Sequence, residues 1–491
     1  MENFYKITHK FDKIGVLVFT LLFMTVGFLQ LCSFTFGNKI ISFVQWPTVA
    51  LGMLLLAVRF INFKHYIKTR GIILLILFSA GYVVSSLITF SYGWYENLRF
   101  LIFTVFQFGL LYATDSNENT EDVKKRTTVA ANYFLIVTAL FSLLSFIVMI
   151  LGYNKMFAAA AEKAVPTYYI GFWHGRLYGI YWDPNIAAVT AAAAVILSVY
   201  FFLRTQKKII KVLNVLNISL QFTYIVFSGS RTGNVALSAG AVMFSVLLSV
   251  KRRFFVSKIK NVIAIILIAA ITLSVTFFGP MAVKSAVNKI ANAAISEEKT
   301  EDELPIEKPS TEEEKTENTE GNTEIAVFDR GYDLSTDISN QRFAIWKSAT
   351  EIFKESPIFG VSRANILSFA KENLPNTYIV SNYYMQFDSM HNAYIEILTS
   401  GGIVGIALFM AFMLWTVIGI IKNLKKIFCS CEFYLLAAII GVCTVLSVCG
   451  LFIAEMVFVV SPASTVLWVV LGTMNRHIQL LETGEKNNEN D

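Results

Sequence analysis

The sequence predicts an all-α membrane protein with about twelve transmembrane helices and one large, partly helical loop outside the membrane. Of its 491 residues, 55% are hydrophobic and only 15% are charged. Its apolar runs also match the roughly 20 residues that a helix needs to cross a bilayer. The predicted spans are 15–34, 39–58, 71–90, 97–113, 129–152, 184–203, 209–227, 233–250, 261–279, 402–421, 433–453 and 457–473.

The first span is expected to stay in the mature protein, because it has no small-residue cleavage site and a second span follows at once. The remaining organisation follows from the spans. Nine helices with short loops are predicted within 1–279, an extracytoplasmic loop over 280–397, three helices within 398–475, and a cytoplasmic tail over 476–491.

Short basic loops predict the orientation, since lysine and arginine accumulate on the cytoplasmic side of a membrane protein. All five basic groups fall on one side if both termini are cytoplasmic. The formal charge of +6 is then a topological asymmetry and gives no reason to expect nucleic-acid binding. The five groups are Arg59, Lys64, Lys68 and Arg70; Lys124, Lys125 and Arg126; Arg204, Lys207, Lys208 and Lys211; Lys251, Arg252, Arg253, Lys258 and Lys260; and Lys422, Lys425 and Lys426.

Three segments then lie outside: the loop 153–183, the turn around Arg231, and the loop 280–397. Within the last, residues 296–324 are strongly acidic and contain no aromatic side chain. Such a stretch cannot bury enough apolar area to order itself, so we expect a disordered spacer, with a binding role as the less favoured alternative.

The part from 339 to 397 is expected to be helical and catalytic. Helical spacing places Phe343, Trp346, Ala349 or Thr350, and Phe353 on one face of a first amphipathic helix. In MHNAYIEILTSGGIVG, the same spacing places His391, Tyr394, Ile395 and Leu398 on one face of a second helix, which enters the tenth span after a break at Gly401–Gly402.

Candidate residues on the outer side are few. His174 and His391 are the two histidines that this topology places there; a structural role is favoured for His174, whereas His391 is evenly balanced between structure and acid–base chemistry. Arg231 lies among small residues in FSGSRTGN, an arrangement that favours oxyanion binding by its planar guanidinium. The favoured role of Asp183 in YWDPNIAA is a helix N-cap, with a catalytic carboxylate as the alternative.

Four elements in this order, GRLYGIYWDPNIAA, SGSRTG, RFAIW with PIFGVS, and HNAYIEILTSGGIVG, resemble the O-antigen ligase and O-antigen polymerase superfamily over about residues 170 to 410. The resemblance implies a glycosyltransferase of the C fold class in the bacterial cytoplasmic membrane. Two departures stand out: Ser362 occupies the position of a usual second glycine in PIFGVS, and the acidic insert is additional.

The resemblance also implies the site. The family arginines correspond to Arg231 and Arg342 and the family histidine to His391, which we expect to be catalytic, and Arg176 is a weaker match. These residues would move a glycan from an undecaprenyl diphosphate carrier to an acceptor hydroxyl, with no metal or other cofactor, because arginines replace the cation that neutralises the leaving group. The residues expected to bind substrate are Arg176, Asp183, Asn185, Ser230 and Asn392.

Several functions remain open at this stage. We favour a polymerase of surface polysaccharide, with a ligase that transfers the finished glycan as the next alternative, and other polysaccharide assembly proteins are possible partners. A twelve-helix transporter or flippase is disfavoured, because Glu96, Arg99, Asp183, Arg231 and Glu455 all map to the outer ends of spans and leave the midplane uncharged. A polysaccharide-binding protein without catalysis is the third class.

Overall fold

The computed structural model describes residues 2–157, 168–301, 339, 341–382 and 386–483. Its helices are α1 Glu2–Leu31, α2 Ile40–Ile61, α3 Phe63–Tyr66, α4 Ile72–Ile88, α5 Tyr95–Phe106, α6 Thr120–Ile150, α7 Pro184–Arg204, α8 Lys208–Ser228, α9 Arg231–Arg252, α10 Lys258–Leu273, α11 Gly279–Glu301, α12 Arg342–Glu355, α13 Ile366–Asn373, α14 Tyr378–Ser381, α15 Ala393–Lys422, α16 Leu424–Cys429, α17 Phe433–Cys449 and α18 Pro462–Thr483. Its strands are β1 Lys155–Phe157, β2 Tyr168–Trp173 and β3 Arg176–Gly179.

Helices correspond to every predicted span, which confirms a predominantly α-helical membrane protein. In the described part of the chain, eight helices are long and apolar enough to cross a bilayer. Two more, α4 and α17, are apolar but shorter. The fourth predicted span forms α5 and then a π-helix, Gln107–Tyr112, and the twelfth corresponds to α18, which carries Arg476 and His477. The number twelve is therefore not confirmed.

Helix α7 forms the centre of the bundle. Its run Ala191–Ala194 is completely buried, and so are most of its other side chains. Small side chains allow neighbouring helices to approach closely, which is the usual way that helices associate where lipid removes the hydrophobic driving force. Helices α8, α9 and α17 pack around α7. The N-terminus of α7 is thereby held in a fixed position.

The loops that carry the basic groups meet at one end of the bundle, here called the basic end. Arg59 Nε lies 2.8 Å from Asp12 Oδ1, and Tyr66 donates a hydrogen bond to Asp12 Oδ2 at 2.9 Å. Arg476 Nη2 donates to the Glu118 carbonyl oxygen at 2.6 Å, which joins α18 to the loop before α6. The two ends of the bundle thus have different chemistry, and which end faces outward stays a prediction.

The opposite end contains a small β-sheet that an all-α fold does not include. Strands β1, β2 and β3 form an antiparallel sheet in the order β1-β2-β3 within the predicted loop 153–183. Strand β2 reads YYIGFW, and aromatic and β-branched residues favour strands. Backbone hydrogen bonds from Ser33 N to Ile180 O, 2.7 Å, and from Trp182 N to Leu31 O, 3.1 Å, attach this region to α1. We call this end the sheet end.

The ninth span extends beyond its predicted boundary of residue 279. A π-helix, Ser274–Phe278, joins α10 to α11, which ends at Glu301. The first six residues of the predicted disordered insert, 296–301, therefore belong to a helix, and residues 302–324 lie outside the described residues. The rest of the loop includes α12, α13 and α14, whose apolar side chains form a separate core around Ile345, Ile352 and Ile379.

Candidate active site

Asp183 caps helix α7 at the sheet end. Its Oδ1 atom accepts hydrogen bonds from the backbone N–H groups of Asn185, at 2.6 Å, and Ile186, at 3.3 Å. Pro184 occupies the first turn, where a missing N–H costs nothing. The favoured interpretation of Asp183 as an N-cap is confirmed.

Arg176 connects the DPN element to the SRTG element. From β3 its Nε donates to the Ser228 carbonyl oxygen at 2.8 Å, and its Nη2 donates to Asn185 Oδ1 at 2.7 Å. Gly229, with φ +64°, ends α8, and a Cβ atom there would lie 3.2 Å from Arg176 Cγ. Glycine is thus favoured both by the left-handed backbone and by the close approach of the arginine.

Arg231 is the first residue of α9 and is exposed. Ser230 caps the helix by accepting a hydrogen bond from Gly233 N at 3.1 Å. A Cβ atom on Gly233 would lie 2.6 Å from Ala188 Cβ, so the first turns of α7 and α9 are in close contact. The small residues of SRTG therefore bring Arg231 close to the DPN element, although the predicted anion contact itself is not tested.

Arg342 is the first residue of α12, and its guanidinium lies 5.9 Å from the centre of the Phe452 ring. The predicted apolar face of this helix is confirmed at Ala349 but was misplaced as a whole. The buried positions are Ile345, Ser348, Ala349 and Ile352, whereas Phe343 is 63% exposed. Trp346 is partly buried and donates from Nε1 to the Met390 carbonyl oxygen at 3.0 Å. Helix α12 therefore contacts the segment that leads to His391.

His391 does not lie on a helix face, which corrects the prediction from spacing. Its φ is +48°, and α15 begins only at Ala393. Asn392 caps that helix, because its Oδ1 accepts from Tyr394 N and Ile395 N at 3.0 and 3.1 Å. Its Nδ2 donates to Leu451 O at 3.0 Å. The asparagine cap ends the helical pattern before it reaches the histidine.

The surroundings of His391 include two of the other predicted site residues. Burial lowers the pKa of His391 below its ordinary value. The positive charge of Arg342 acts in the same direction, whereas the negative charges of Asp183 and Glu396 oppose it. The imidazole is therefore mainly neutral near pH 7. The DPN element, the start of α12 and the HN element thus influence one another electrostatically at the sheet end.

A buried ion pair between Arg363 and Glu396 was missed by the sequence analysis. The two side chains are 10% and 2% exposed. Glu396 Oε2 also accepts from Ser389 Oγ and Met390 N, both at 2.8 Å. Arg363 Nη1 donates to the Asp388 carbonyl oxygen at 2.7 Å. The pair fixes the backbone on the N-terminal side of His391, and a glutamate within the apolar run AYIEIL was the available signal.

The loop PIFGVS pairs with the break in α15. Val361 N and Ser362 N donate to the carbonyl oxygens of Thr399 and Ser400, at 2.9 and 3.0 Å. Ser362 has a φ of +62°, and its hydroxyl lies 3.0 Å from Ser85 Oγ. The serine thus takes the backbone conformation that a second glycine would take, and its hydroxyl compensates by bonding to α4. The predicted break is confirmed at Gly402, which has non-helical angles.

Glu455 is a third acidic group at this end, for which the sequence suggested no role. It lies in the connection between α17 and α18, where burial raises its pKa to about 7 while a hydrogen bond with Ser461 acts against the shift. Its Oε2 atom is buried and has no hydrogen-bond partner among the described residues. Asp183 and Glu396 both raise its pKa further, so Glu455 belongs electrostatically to the same region as His391.

His174 lies outside this group of interacting residues. It occupies the turn between β2 and β3 with a φ of +50° and is exposed. Its ring packs edge-on against Tyr169, with 5.5 Å between the ring centres. These contacts agree with the structural role that the sequence favoured.

Comparisons with known proteins find a related protein and a family model that match parts of this chain. The chain is similar to an uncharacterized protein of Haemophilus influenzae, with 25% identity over 241 residues, which are 49% of this chain and 51% of the relative. The chain thus spans about half the length of that relative. Residues 216–410, which include Arg231, Arg342 and His391, match the family model described as O-antigen ligase. This match confirms that the chain resembles the O-antigen ligase and O-antigen polymerase superfamily of membrane glycosyltransferases.

Proposed function

We propose that the protein transfers a glycan from an undecaprenyl diphosphate carrier to an acceptor hydroxyl at the sheet end, which faces outward. The observation that carries the proposal is that Asp183 and Arg342, which belong to separate elements, both act electrostatically on His391. Two of these residues lie within the segment that matches the O-antigen ligase family.

His391 is the general base. A base must be unprotonated when the acceptor hydroxyl arrives, and burial, which lowers the pKa of His391, keeps the imidazole neutral. The Arg363–Glu396 pair holds the preceding backbone, so the imidazole is positioned before substrate binds. Attack by the deprotonated hydroxyl on the anomeric carbon inverts its configuration and expels the diphosphate.

Arg231 and Arg342 stabilise the leaving group. A diphosphate gains negative charge as the glycosidic bond breaks, and an arginine offers a planar, always charged fork to its oxygens. The two guanidinium groups thus take the place of a divalent cation. Arg176 already holds Ser228 and Asn185, so its contribution is to keep the DPN and SRTG elements together. Asp183 caps α7, Ser230 caps α9 directly before Arg231, and Asn392 caps α15 directly after His391.

A polymerase is the favoured enzyme, and a ligase is the alternative. The two enzymes share the donor chemistry and differ in the acceptor, so this site fits both. A reconstituted assay in proteoliposomes with a lipid diphosphate oligosaccharide tests the proposal. A ladder of lengthened products on the carrier identifies a polymerase, and a single transfer to another acceptor identifies a ligase. His391→Ala should abolish both, with His174→Ala as the control that retains activity. If the wild-type protein formed no product, or if His391→Ala remained active, this mechanism would be wrong.

The orientation is tested separately by cysteine labelling of intact cells. A cysteine introduced at Thr316, within the outer loop, should react with a membrane-impermeant maleimide. The exposed native Cys429 and Cys431 provide an internal control, since they should react only after the cytoplasmic membrane is permeabilised. The reverse pattern would place the site on the cytoplasmic side and contradict the proposed outward orientation.

A further inference from the structure

A cavity of about 500 Å³ lies at the sheet end between α1, α2, α5 and the connection before α18. Its volume is within the range of ligand-binding pockets, about 300–1,000 Å³. The wall combines amide groups, aromatic rings and one carboxyl group. The residues that matter here are Gln30, Asn38, Gln45, Phe100, Trp182 and Glu455.

We infer that this cavity binds a sugar residue of the glycan acceptor, with Glu455 and Gln45 hydrogen-bonding to its hydroxyls. The inference rests on the proposed function, because it names the substrate group for a region next to the candidate active site. Sugars present hydroxyls around the ring and apolar C–H faces above and below it. Amide and carboxyl groups satisfy the hydroxyls, and aromatic side chains pack against the faces.

Glu455 supports a ligand at this place. Its Oε2 atom is buried without a hydrogen-bond partner among the described residues, and a buried polar atom left unsatisfied is costly. Burial raises the pKa of Glu455 to about 7, so near neutral pH the group can either donate to or accept from a hydroxyl. A sugar hydroxyl in the cavity would satisfy this carboxyl group in either protonation state, once rotation of the side chain brings Oε2 to the cavity wall.

The lining favours a sugar over a lipid chain. Another cavity of about 690 Å³, between α2, α4 and α5, has walls made mostly of side chains such as Met53, Leu56, Phe60 and Ile76. That is the lining that an acyl or prenyl chain prefers. The cavity with Glu455 instead brings a carboxyl group and three amides together, which a lipid tail could not satisfy.

The acceptor is a better match than the diphosphate end of the donor. Arg99 lines the cavity, but its Nη2 lies 2.7 Å from Glu96 Oε2 in an ion pair. A diphosphate beside Glu455 would also meet a like charge. Trp182 lines the cavity and directly precedes Asp183, whose charge acts on both His391 and Glu455. Ile186, in the first turn of α7, also lines the cavity, so a sugar held here would contact the helix start that Asp183 caps.

A smaller cavity, of about 450 Å³, adjoins this one. Phe36, Gly37 and Asn38 line both cavities, and Lys39 and Phe157 line the smaller one.

Binding measurements on the full-length protein in lipid nanodiscs test the inference. The probe is the oligosaccharide released by mild acid from the lipid-linked precursor of the producing cell and labelled at its reducing end. Glu455→Leu and Gln45→Leu should each weaken its binding by about tenfold or more, the expected effect of losing a hydrogen bond to a charged or buried polar partner. The control Glu355→Leu, at an exposed position of α12, should bind like wild type. Affinity for undecaprenyl diphosphate without sugars should not change in any variant.

The outcomes separate the two proposals. If wild type did not bind the oligosaccharide, or if the cavity variants bound it as wild type does, the sugar site would be wrong. Should Glu455→Leu fail to fold, Gln45→Leu in α2 decides alone. If the cavity variants lost binding while wild type catalysed no transfer, the sugar site would stand and the proposed glycosyltransferase function would fail.

Discussion

Replacing Glu396 by glutamine tests whether the buried ion pair positions His391, the proposed base. Glu396 is 2% exposed and pairs with Arg363, which is 10% exposed. It also accepts two hydrogen bonds of 2.8 Å from Ser389 and from the backbone of Met390. Glutamine keeps the size of the side chain but removes the charge, so the guanidinium of Arg363 loses its buried partner.

The cost to stability should be large. Removing one member of a buried ion pair typically costs about 3–5 kcal/mol, because the other charge remains buried without compensation. The pair Glu96–Arg99 provides a matched control at the same end of the protein, since its side chains are 49% and 47% exposed. Glu96→Gln should therefore cost less than about 1 kcal/mol.

Unfolding in mixed micelles with increasing sodium dodecyl sulfate measures both losses in the free energy of unfolding. The double variant Glu396→Gln with Arg363→Met should recover part of the stability, because no buried charge is left unpaired. The double variant should not recover transferase activity, because the backbone next to His391 has lost the interactions that hold it. A displacement of the imidazole by about 1 Å can lower the rate on the order of a hundredfold. Equal, small effects of Glu396→Gln and Glu96→Gln on stability, together with normal transfer, would refute the positioning role.

Three further predictions concern the donor, the base and the loop. Transfer should remain active below the ordinary histidine pKa, because the neutral form of His391 is the base. The negative charge of Asp183 raises the pKa of His391, so Asp183→Asn should move the acidic limb of the kcat profile to lower pH. The positive charge of Arg342 lowers that pKa, so Arg342→Gln should move the limb to higher pH. Shifts in the same direction would contradict this electrostatic assignment. Arg231→Lys should weaken binding of undecaprenyl diphosphate by about tenfold, because the planar fork is lost although the charge remains; unchanged affinity would argue for a lipid-facing role. Deleting residues 297–324 should leave turnover near that of wild type, since loop length costs little free energy, and complete loss in a folded variant would show that the insert functions.

Local signals in the sequence were sufficient for most helices and for the Asp183 cap of α7. Hydropathy located the spans because a bilayer requires long apolar helices. The pair Asp183–Pro184 marked the start of α7, because a carboxylate can accept hydrogen bonds from free N–H groups at a helix start and proline is tolerated in the first turn. Small residues around Arg231 predicted the tight turn between α8 and α9. These features depend only on neighbours in the chain.

Local signals failed where a competing local preference or a contact with a distant residue determined the structure. Helical spacing placed His391 on a helix face, but the Asn392 cap starts the helix after it. The same spacing assigned the wrong face to α12, because its core is formed with α13, α14 and Met390, which spacing alone does not reveal. The loop 153–183 forms a sheet that is held by backbone bonds to α1, a partner distant in sequence.

Pairings between distant residues explain what was missed at the candidate site. Arg363 and Glu396 belong to separate elements, and neither has an oppositely charged residue at helical spacing in the sequence. The sequence therefore gave no indication that the two would pair. Glu455 was recognised as a charge at the end of a span, but its cavity is formed by side chains from α1, α2 and α5. A burial pattern in one segment cannot predict a cavity that several distant segments form together.

The arrangement of helix ends adds a reason to favour an anionic leaving group over a transported cation. Arg231 and Arg342 are the first residues of α9 and α12, and His391 directly precedes the cap of α15. Asp183 caps α7, whose first turn contacts that of α9. Helix N-termini carry partial positive charge and attract anions, whereas a coupling cation is usually held by carbonyl groups at helix C-termini or in unwound segments. Helix dipoles and arginines therefore act in the same direction here, towards a diphosphate, and a cation-coupled transporter would need the opposite polarity.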